Sequence, residues 1–347
     1  MNTGFENIHL LHTALPEVSE KDIDTSVNFL NQTSAKPFFI SCMTGGSEGG
    51  FKANKNLAKA AQKEKIPVGL GSIRVLFDHP ELIQHFHIKN FAPDVPVLAN
   101  IGGVQVRDRD HENLFELVKR LEVQSLVVHL NPGQELFQPE GDRDFKEIKP
   151  AIGRLCEKSP VPVIIKETGF GIHPGLVKDL LSLGAAYIDV AGAGGTNWVT
   201  VESFRLPKDQ QEIADEFKEW GYPTALLLAA LKETGITETG KILASGGIRT
   251  GMDIIKSIVL GAHMSGLALP MIRHAVDEGE EGVIQYIQKL NDVIRKVMIL
   301  TGSTTVEGLS KKQFWMDHHF FQNLRSFLTT VDRNLYLYPW KNEEFSH

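Results

Sequence analysis

Eight short apolar runs recur along the chain at similar intervals, and this rhythm limits the possible folds more than any other feature. The runs are rich in β-branched residues and are closed by Gly, Pro, Asn or Ser, which is typical of buried strands. Segments with helical periodicity lie between them, such as 52–65, 111–121, 175–183 and 251–260. The eight predicted strands are 37–43, 67–72, 96–101, 125–131, 161–167, 186–191, 241–246 and 262–269.

Alternating strands and helices, with strands that are apolar throughout, indicate a parallel sheet buried on both faces. Eight such strands predict an α/β protein with the (β/α)8 fold, the TIM barrel. An open doubly wound sheet is the alternative, but it usually has fewer strands, and its G-x-G-x-x-G motif is missing after the first strand. We predict one TIM-barrel domain over 1–347, with an N-terminal extension at 1–36, a loop insertion at 195–225 and a C-terminal helical tail at 282–347.

Charge and cysteine content narrow the function classes. The chain has 36 Lys and Arg against 43 Asp and Glu, and its net charge of −7 is the wrong sign for broad attraction to nucleic acid or anionic membranes. Two cysteines, Cys42 and Cys156, are too few for a disulfide framework. The sequence has no run of about 18 apolar residues and no typical leader segment. We therefore expect a cytoplasmic protein that acts on small molecules.

Polar residues gather after the fourth predicted strand, at the strand ends where a barrel builds its active site. His129 and Asn131 point to the same side of the strand because side chains alternate, and Gln134 and Glu135 follow at once. These four side chains can converge on one ligand. Mg²⁺ commonly binds one or two carboxylates together with water and substrate phosphate oxygens. Glu135 therefore suits a metal ion that arrives with a diphosphate.

Two other strand ends predict anion binding. Lys166 closes an apolar strand, where an unpaired charge is costly to bury, so it should meet an anion or the electron-poor edge of a cofactor. An internal salt bridge to Glu167 or Asp189 is the alternative interpretation. The glycine-rich segments 245–249 and 266–270 follow the seventh and eighth strands and could bring backbone N–H groups and helix N-termini to a phosphate. Tight turns alone would also explain these glycines.

Residues 45–49 match the G-x-S-x-G nucleophile elbow of hydrolases, with Ser47 in the nucleophile position. That elbow belongs to an open sheet rather than to a barrel. Loops rich in Gly and Ser also produce chance matches. We therefore predict no hydrolase activity from this motif.

The strand-end motifs together resemble those of the type 2 isopentenyl diphosphate isomerase family, whose members are FMN-dependent TIM-barrel enzymes. The resemblance covers nearly the whole chain, and HLNPGQE followed by QPEGD is its most specific part. The glycine motifs are shared with other FMN barrels, such as the 2-hydroxy-acid oxidases. The motifs are MTGG at 43–46, NIGG at 100–103, HLNPGQE at 129–135, QPEGD at 138–142, KETG at 166–169, IDVAGAGGT at 188–196 with Trp198, and SGGIRTG at 245–251.

The resemblance implies the conversion of isopentenyl diphosphate into dimethylallyl diphosphate by a 1,3-proton shift, with reduced FMN and Mg²⁺, with NADPH as reductant, and in a tetramer or octamer. It implies catalytic roles for Gln134, His129 and Asn131, with Glu135 on Mg²⁺. By the same transfer, the substrate would contact Ser72, Ile73, Arg74 and Gln134. FMN would contact Met43, Thr44, Gly45, Ser72, Asn100, Lys166 and Thr196 through its ring and ribityl chain, and Gly246, Gly247, Ile248, Arg249, Ala268 and Leu269 through its phosphate.

The chain departs from the family pattern before residue 4. Family members usually carry an Arg-Lys-x-x-His segment there, which reaches over the diphosphate, and the printed sequence has no such segment. Three alternatives follow: residue 1 is not the true start, another residue or subunit supplies the charge, or the diphosphate binds weakly. Losing two charge-assisted contacts would cost about 3–6 kcal/mol of binding free energy.

Two other functions remain as alternatives. A 2-hydroxy-acid oxidase or dehydrogenase would share the FMN barrel, but it commonly uses a histidine base near the last strands, and no histidine is adjacent to Arg249. A flavoprotein without catalytic activity is the third hypothesis, and the missing basic segment motivates it.

Overall fold

Eight parallel strands close into a barrel in the computed structural model, which describes residues 1–332. Each strand pairs with the next along the chain, and β8 pairs with β1 to complete the ring. All eight predicted strands are confirmed, although seven of the observed strands are shorter and β3 is displaced by one residue. Their bounds are β1 Phe38–Ile40, β2 Val68–Ser72, β3 Val97–Gly102, β4 Ser125–Leu130, β5 Val163–Glu167, β6 Tyr187–Asp189, β7 Ile242–Ala244 and β8 Met264–Leu267.

Helices connect the strands and cover the outside of the barrel, and their buried apolar faces form one continuous core with the strands. The four helical segments that the periodicity predicts are all present. The helices are α1 Glu48–Glu64, α2 Val75–Asp78, α3 Gly103–Asp108, α4 His111–Arg120, α5 Pro132–Phe137, α6 Ile148–Lys158, α7 Pro174–Ser182, α8 Trp198–Ser203, α9 Lys208–Asp215, α10 Thr224–Glu233, α11 Gly251–Val259, α12 Leu269–Asp277, α13 Gly279–Leu300, α14 Val306–Ser310 and α15 His318–Asp332.

The start of α1 explains the hydrolase-like motif. Ser47 is the N-cap of this helix, and its Oγ accepts a hydrogen bond from Gly50 N at 3.0 Å. A serine in this position satisfies one of the free N–H groups of the first helical turn. Ser47 therefore has a local structural role, in agreement with the rejection of the elbow.

The predicted insertion 195–225 contains α8 and α9, and both helices lie beside the ends of the barrel strands. A small apolar cluster separate from the barrel core holds them in place, and it includes Phe170 after β5 and Val199 in α8. Helix α5, which carries Gln134 and Glu135, packs against α8. The insertion is therefore fixed against the loop that follows β4.

A hairpin in the N-terminal extension closes the opposite end of the barrel, whereas Thr3 lies beside Gly194 and Gly247 at the carboxyl ends of the strands. An antiparallel hairpin of Val27–Phe29 and Gln32–Ser34 places the fully buried ring of Phe29 against side chains inside the barrel, including Phe39 and Leu98. Another short strand, Ile8–Leu10, pairs with Phe314–Met316 near the C-terminus.

The C-terminal tail is described as far as α15. The rest of the predicted helical tail, 333–347, lies outside the described residues. Within residues 1–332, we find no helix with the length and apolar character needed to cross a membrane.

Candidate active site

A cavity of about 650 Å³ lies at the carboxyl ends of the barrel strands, and all eight strand ends contribute to its wall. This is the position in which TIM barrels carry their active sites. The structure brings together all of the predicted site residues except Gly45 and Ile73. The predicted residues that line the cavity are Met43, Thr44, Ser72, Arg74, Asn100, His129, Asn131, Gln134, Glu135, Lys166, Thr196, Gly246, Gly247, Ile248, Arg249, Ala268 and Leu269.

The other two predicted residues lie behind the cavity wall. A Cβ on Gly45 would come within 2.4 Å of Phe86 Cε1, so this glycine allows the Phe86 ring to pack. The side chain of Ile73 is fully buried in the core, and its N–H donates to Asn100 O at 2.7 Å. The residues before and after Ile73, Ser72 and Arg74, both line the cavity. The structure therefore gives Ile73 a backbone position at the site and a side chain that packs elsewhere.

His129 is held by the neighbouring strand. Its Nδ1 lies 2.7 Å from Oδ1 of Asn100, and because an amide oxygen can only accept, Nδ1 carries the proton. Loss of solvent lowers the pKa of His129 to about 3, and the positive charges of Lys166 and Arg74 contribute to this shift. His129 is therefore neutral at physiological pH, with Nε2 as a hydrogen-bond acceptor.

Glu135 is a buried carboxylate in the first turn of α5. Its Oε1 accepts from Nδ2 of Asn131 at 2.9 Å, and its Oε2 accepts from the N–H of Asp142 at 2.9 Å. Each oxygen has a second lone pair for a metal ion. Residues 1–332 contain no group of three or more His, Cys, Asp or Glu side chains placed to hold a metal. The donor set at Glu135 therefore fits an ion whose other ligands are water and substrate oxygens.

Arg143 fixes the loop that follows α5. Its guanidinium donates to the backbone carbonyls of Glu135, Gly141 and Asp142, and also to that of Gln138 at 3.0 Å. A rigid fork with several donors can satisfy several carbonyls at once. This loop presents the Asp142 N–H to Glu135, so Arg143 helps to position the carboxylate.

Gln134 forms a hydrogen bond with a carboxylate in the insertion 195–225, that of Glu202, to which the sequence analysis assigned no role. Its Nε2 donates to Oε1 of Glu202 in α8 at 2.9 Å, and Glu202 is 5% exposed. Arg205 contacts Glu202 Oε2 at 3.2 Å and Glu140 Oε1 at 3.0 Å. These contacts connect α8 to the loop after α5, and they orient the amide group of Gln134.

The two glycine-rich segments form a cradle of backbone N–H groups. A Cβ on Gly246 would lie 2.0 Å from Gly192 O, and one on Gly195 would lie 2.6 Å from Gly247 N, so only glycine permits this close packing. Within the described residues, the N–H groups of Gly247, Ile248 and Ala268 have no protein acceptor. Unpaired N–H groups beside a cavity are ready to bind a phosphate.

The N-terminus of α11 contributes less to the cradle than the sequence suggests. Asp253 closes a capping box there, and its Oδ2 accepts from the N–H groups of Arg249 and Thr250 at 3.0 and 2.9 Å. The Arg249 side chain instead joins two loops, with bonds to Gly194 O and Gly247 O. By contrast, α12 has no side-chain cap at Ala268.

Lys166 lines the cavity, and two buried carboxylates, Glu167 and Asp189, lie behind its wall. Nζ of Lys166 donates to the backbone carbonyl of Glu167 at 2.6 Å, and the Glu167 carboxylate accepts from the N–H groups of the following loop, including Gly171 at 3.0 Å. Asp189 on β6 stands opposite Lys166 in the strand register. Within residues 1–332, Lys166 forms a direct ion pair with neither carboxylate, so the alternative interpretation of an internal salt bridge is wrong.

Several cavity residues had no individual role in the sequence analysis. Some directly follow a strand that was already predicted to carry the site, so strand position was the signal for them. Trp198 and Val201 belong to α8, and the spacing i, i+3 on an insertion beside the site was the only local signal. These residues are Ser41, Cys42, Thr168, Gly169, Ala191, Gly195, Trp198, Val201 and Ile272.

The part of the chain that is similar to known proteins contains most of the cavity residues described above. The model of the FMN-dependent dehydrogenase family matches residues 100–316, which include most of the cavity wall. The isopentenyl-diphosphate delta-isomerase of Borrelia garinii subsp. bavariensis is 41% identical over 92% of this chain and 89% of its own length. The chain belongs to this isomerase family. The enzyme of the same name from Rickettsia bellii is 40% identical over 92% of this chain and 93% of its own length.

Solved structures support the barrel fold of this isomerase family member. A putative lactate oxidase of Pediococcus acidilactici has a TM-score of 0.66 and 16% identity, over 90% of this chain and 84% of that one. An L230A mutant of flavocytochrome b2 with benzoylformate has a TM-score of 0.67 and 20% identity, over 100% of this chain and 85% of that one. At this identity, the likeness concerns the fold alone.

The cavity fits the FMN on which the family depends. The cradle of unpaired N–H groups at Gly247, Ile248 and Ala268 suits a phosphate. Lys166 and Asn100 lie on the floor, where polar groups can meet a flavin ring, and Met43 provides an apolar surface. Polar anchors at two separated positions match a ligand with a ring at one end and a phosphate at the other.

Proposed function

We propose that this protein converts isopentenyl diphosphate into dimethylallyl diphosphate by a 1,3-proton shift, with reduced FMN and Mg²⁺. The observation that carries the proposal is the 41% identity over 92% of the chain to an isopentenyl-diphosphate delta-isomerase. The cavity supports it, because neutral His129, Gln134 and Asn131 face the same space as the buried carboxylate of Glu135. Glu135 would suit a diphosphate ester, because Mg²⁺ is commonly held by one or two carboxylates together with substrate phosphate oxygens.

FMN would lie with its phosphate on Gly246, Gly247, Ile248, Arg249, Ala268 and Leu269, and with its ring near Met43, Thr44, Asn100, Lys166 and Thr196. Ser72 would meet both FMN and the substrate, and Gly45 and Ile73 would contribute backbone only. When bound and reduced, the flavin supplies an electron-rich ring that can stabilise positive charge and exchange a proton with the alkene. NADPH is the proposed reductant.

The diphosphate would enter with Mg²⁺ at Glu135. The two protein hydrogen bonds on this carboxylate fix its orientation, and an oriented ligand lowers the entropy cost of binding the metal. Arg74 lines the cavity, and within residues 1–332 its side chain has no hydrogen-bond or ion-pair partner. A free guanidinium is suited to bind diphosphate oxygens in a bidentate manner.

His129 and Gln134 would orient the substrate through hydrogen bonds from uncharged side chains. His129 has a pKa of about 3, so at physiological pH its Nε2 accepts a hydrogen bond and carries no proton to donate. The Gln134 amide is not an acid, and its Nε2–H is already directed at Glu202. Protein groups at these two positions therefore fit a role in orientation, which leaves proton exchange to the cofactor.

We further propose that the protein is a homo-oligomer, a tetramer or an octamer. Apolar side chains are exposed on the insertion 195–225, where Phe204 and Trp220 are 79% and 61% exposed. Exposed apolar side chains that occur together are typical of association surfaces.

The test is a turnover assay on purified protein. We expect a yellow protein that converts isopentenyl diphosphate only when FMN is reduced and Mg²⁺ is present. Reduced, FMN-loaded protein that leaves isopentenyl diphosphate unchanged would refute the proposal. Oxidation of lactate or glycolate with bleaching of the flavin would favour the oxidase alternative instead.

A further inference from the structure

A buried carboxylate behind the cavity wall has no role in the proposed mechanism. Asp189 at the end of β6 is 2% exposed, and the ammonium group of Lys166 stands beside it on β5. Two opposite charges buried side by side usually form a direct ion pair, because each compensates the cost of removing the other from water. Here they do not form one within residues 1–332.

Ser245 accounts for this arrangement. Its hydroxyl lies 2.8 Å from Asp189 Oδ1 and 2.9 Å from Oδ2, and the N–H of Ala191 donates to Oδ1 at 3.2 Å. Both carboxylate oxygens are therefore directed toward β7 and the β6 loop. The ammonium of Lys166 has one protein partner, the carbonyl of Glu167, and it lines the cavity with donors to spare.

We propose that Ser245 holds the Asp189 carboxylate away from Lys166, so that Asp189 balances the buried charge without pairing with it. The Lys166 ammonium thereby stays available to the flavin ring. Ser245 and Asp189 are positioning residues in this arrangement, since they act on the cofactor through Lys166. The inference rests on the proposed function insofar as FMN occupies the cavity.

The reduction potential of bound FMN reports on this arrangement. Reduced flavin has more electron density than oxidised flavin, so positive charge nearby favours the reduced form. In Ser245→Ala, Asp189 can turn toward Lys166, the ammonium is drawn from the ring, and the potential falls. In Asp189→Asn, the charge of Lys166 is no longer balanced, and the potential rises. The two variants therefore shift the potential in opposite directions, which general damage to the site would not do.

The experiment measures the midpoint potential of FMN bound to the full chain, at neutral pH with a reference dye. We expect each variant to change the ratio of affinities for reduced and oxidised FMN by about tenfold, which for a two-electron couple is about 30 mV. Ser265→Ala is the matched control, because the Ser265 hydroxyl is equally buried but contacts Ser257 outside the cavity. It should leave the potential unchanged.

Lys166→Gln separates action through the lysine from direct action on the flavin. In this background, Ser245→Ala should no longer change the potential. Shifts in the same direction in the two single variants would overturn the proposal, as would wild-type potentials in both. A folded Ser245→Ala protein that no longer retains FMN would also contradict it. If the wild-type chain binds FMN but does not isomerise isopentenyl diphosphate, the proposed reaction fails while this inference stands.

Discussion

Glu135 shows that the proposed metal-binding and flavin-binding functions of the cavity depend on different residues. Its carboxylate is buried and held by two hydrogen bonds on one side of α5, far along the chain from the glycine cradle. The cradle depends on backbone N–H groups instead. Metal and flavin binding should therefore be separable by a single substitution.

Glu135→Gln should lower Mg²⁺-dependent turnover of isopentenyl diphosphate by tenfold or more while FMN absorbance persists. A neutral amide oxygen is a weaker ligand than a carboxylate for a hard cation. Turnover measured as a function of Mg²⁺ concentration, alongside the flavin spectrum, provides the check. Glu157→Gln on the exposed face of α6 is the control. Equal loss of FMN and turnover would contradict the separation of roles.

His129 makes the stability of the fold depend on pH. Because folding lowers the pKa of His129 from 6.5 to about 3, the unfolded chain binds more protons than the folded chain between these values. The contribution of the neutral ring is therefore fully present above pH 6.5 and decreases as the pH falls toward 3. His129→Gln should flatten this part of the stability profile.

Urea unfolding at a series of pH values tests this dependence, with the exposed His79→Gln as the control. A His129→Gln protein that loses stability on acidification as steeply as the wild type would show that other groups dominate the profile.

At the scale of elements, the barrel strands could be predicted because each is a local apolar run with its own closing residue. His129, Asn131, Gln134, Glu135, Lys166 and the two glycine-rich segments followed from their place at strand ends, the other site residues came from the family resemblance, and the structure places nearly all of them around one cavity. Ile73 was among those taken from the resemblance, and its side chain is buried in the core instead. Glu202 was missed because it meets Gln134 across 68 positions of sequence. No local pattern encodes such a contact.

The capping box of α11 gives a prediction at this scale. Asp253→Ala should destabilise the fold by about 1–2 kcal/mol, because the N–H groups of Arg249 and Thr250 lose their acceptor. FMN should still bind, since the cradle uses other N–H groups. Thermal unfolding and FMN titration measure the two effects. Asp179→Ala, which removes a half-exposed ion pair with Lys149, is the control and should cost less than about 1 kcal/mol.

Tighter FMN binding in a stable Asp253→Ala protein would place the phosphate at the α11 N-terminus instead, because the substitution releases two N–H groups there. Loss of FMN binding would contradict the separation of roles, because it would show that the capping box also holds the cradle in place.

For the whole molecule, one group of exposed apolar residues belongs to the insertion 195–225, namely Val201, Phe204, Ile213, Trp220 and Tyr222. Phe204, at the end of α8, is 79% exposed, while Glu202 two residues earlier is buried and bonded to Gln134. A surface formed by α8 would therefore connect association between copies to the orientation of a cavity residue. Burying such an aromatic ring contributes about 1.5–3 kcal/mol.

Phe204→Ser should therefore shift the proposed oligomer toward smaller species, as measured by sedimentation velocity over a range of protein concentrations. Because α8 remains fixed by Val199 in its own apolar cluster, the far-UV spectrum should not change. Leu15→Ser removes a side chain that is similarly exposed, at 76%, but lies in the N-terminal extension, and it should leave the association unchanged. If Phe204→Ser and the wild type sediment identically, this ring lies outside the contact between copies. The coupling from association through α8 to Gln134 would then lose its basis.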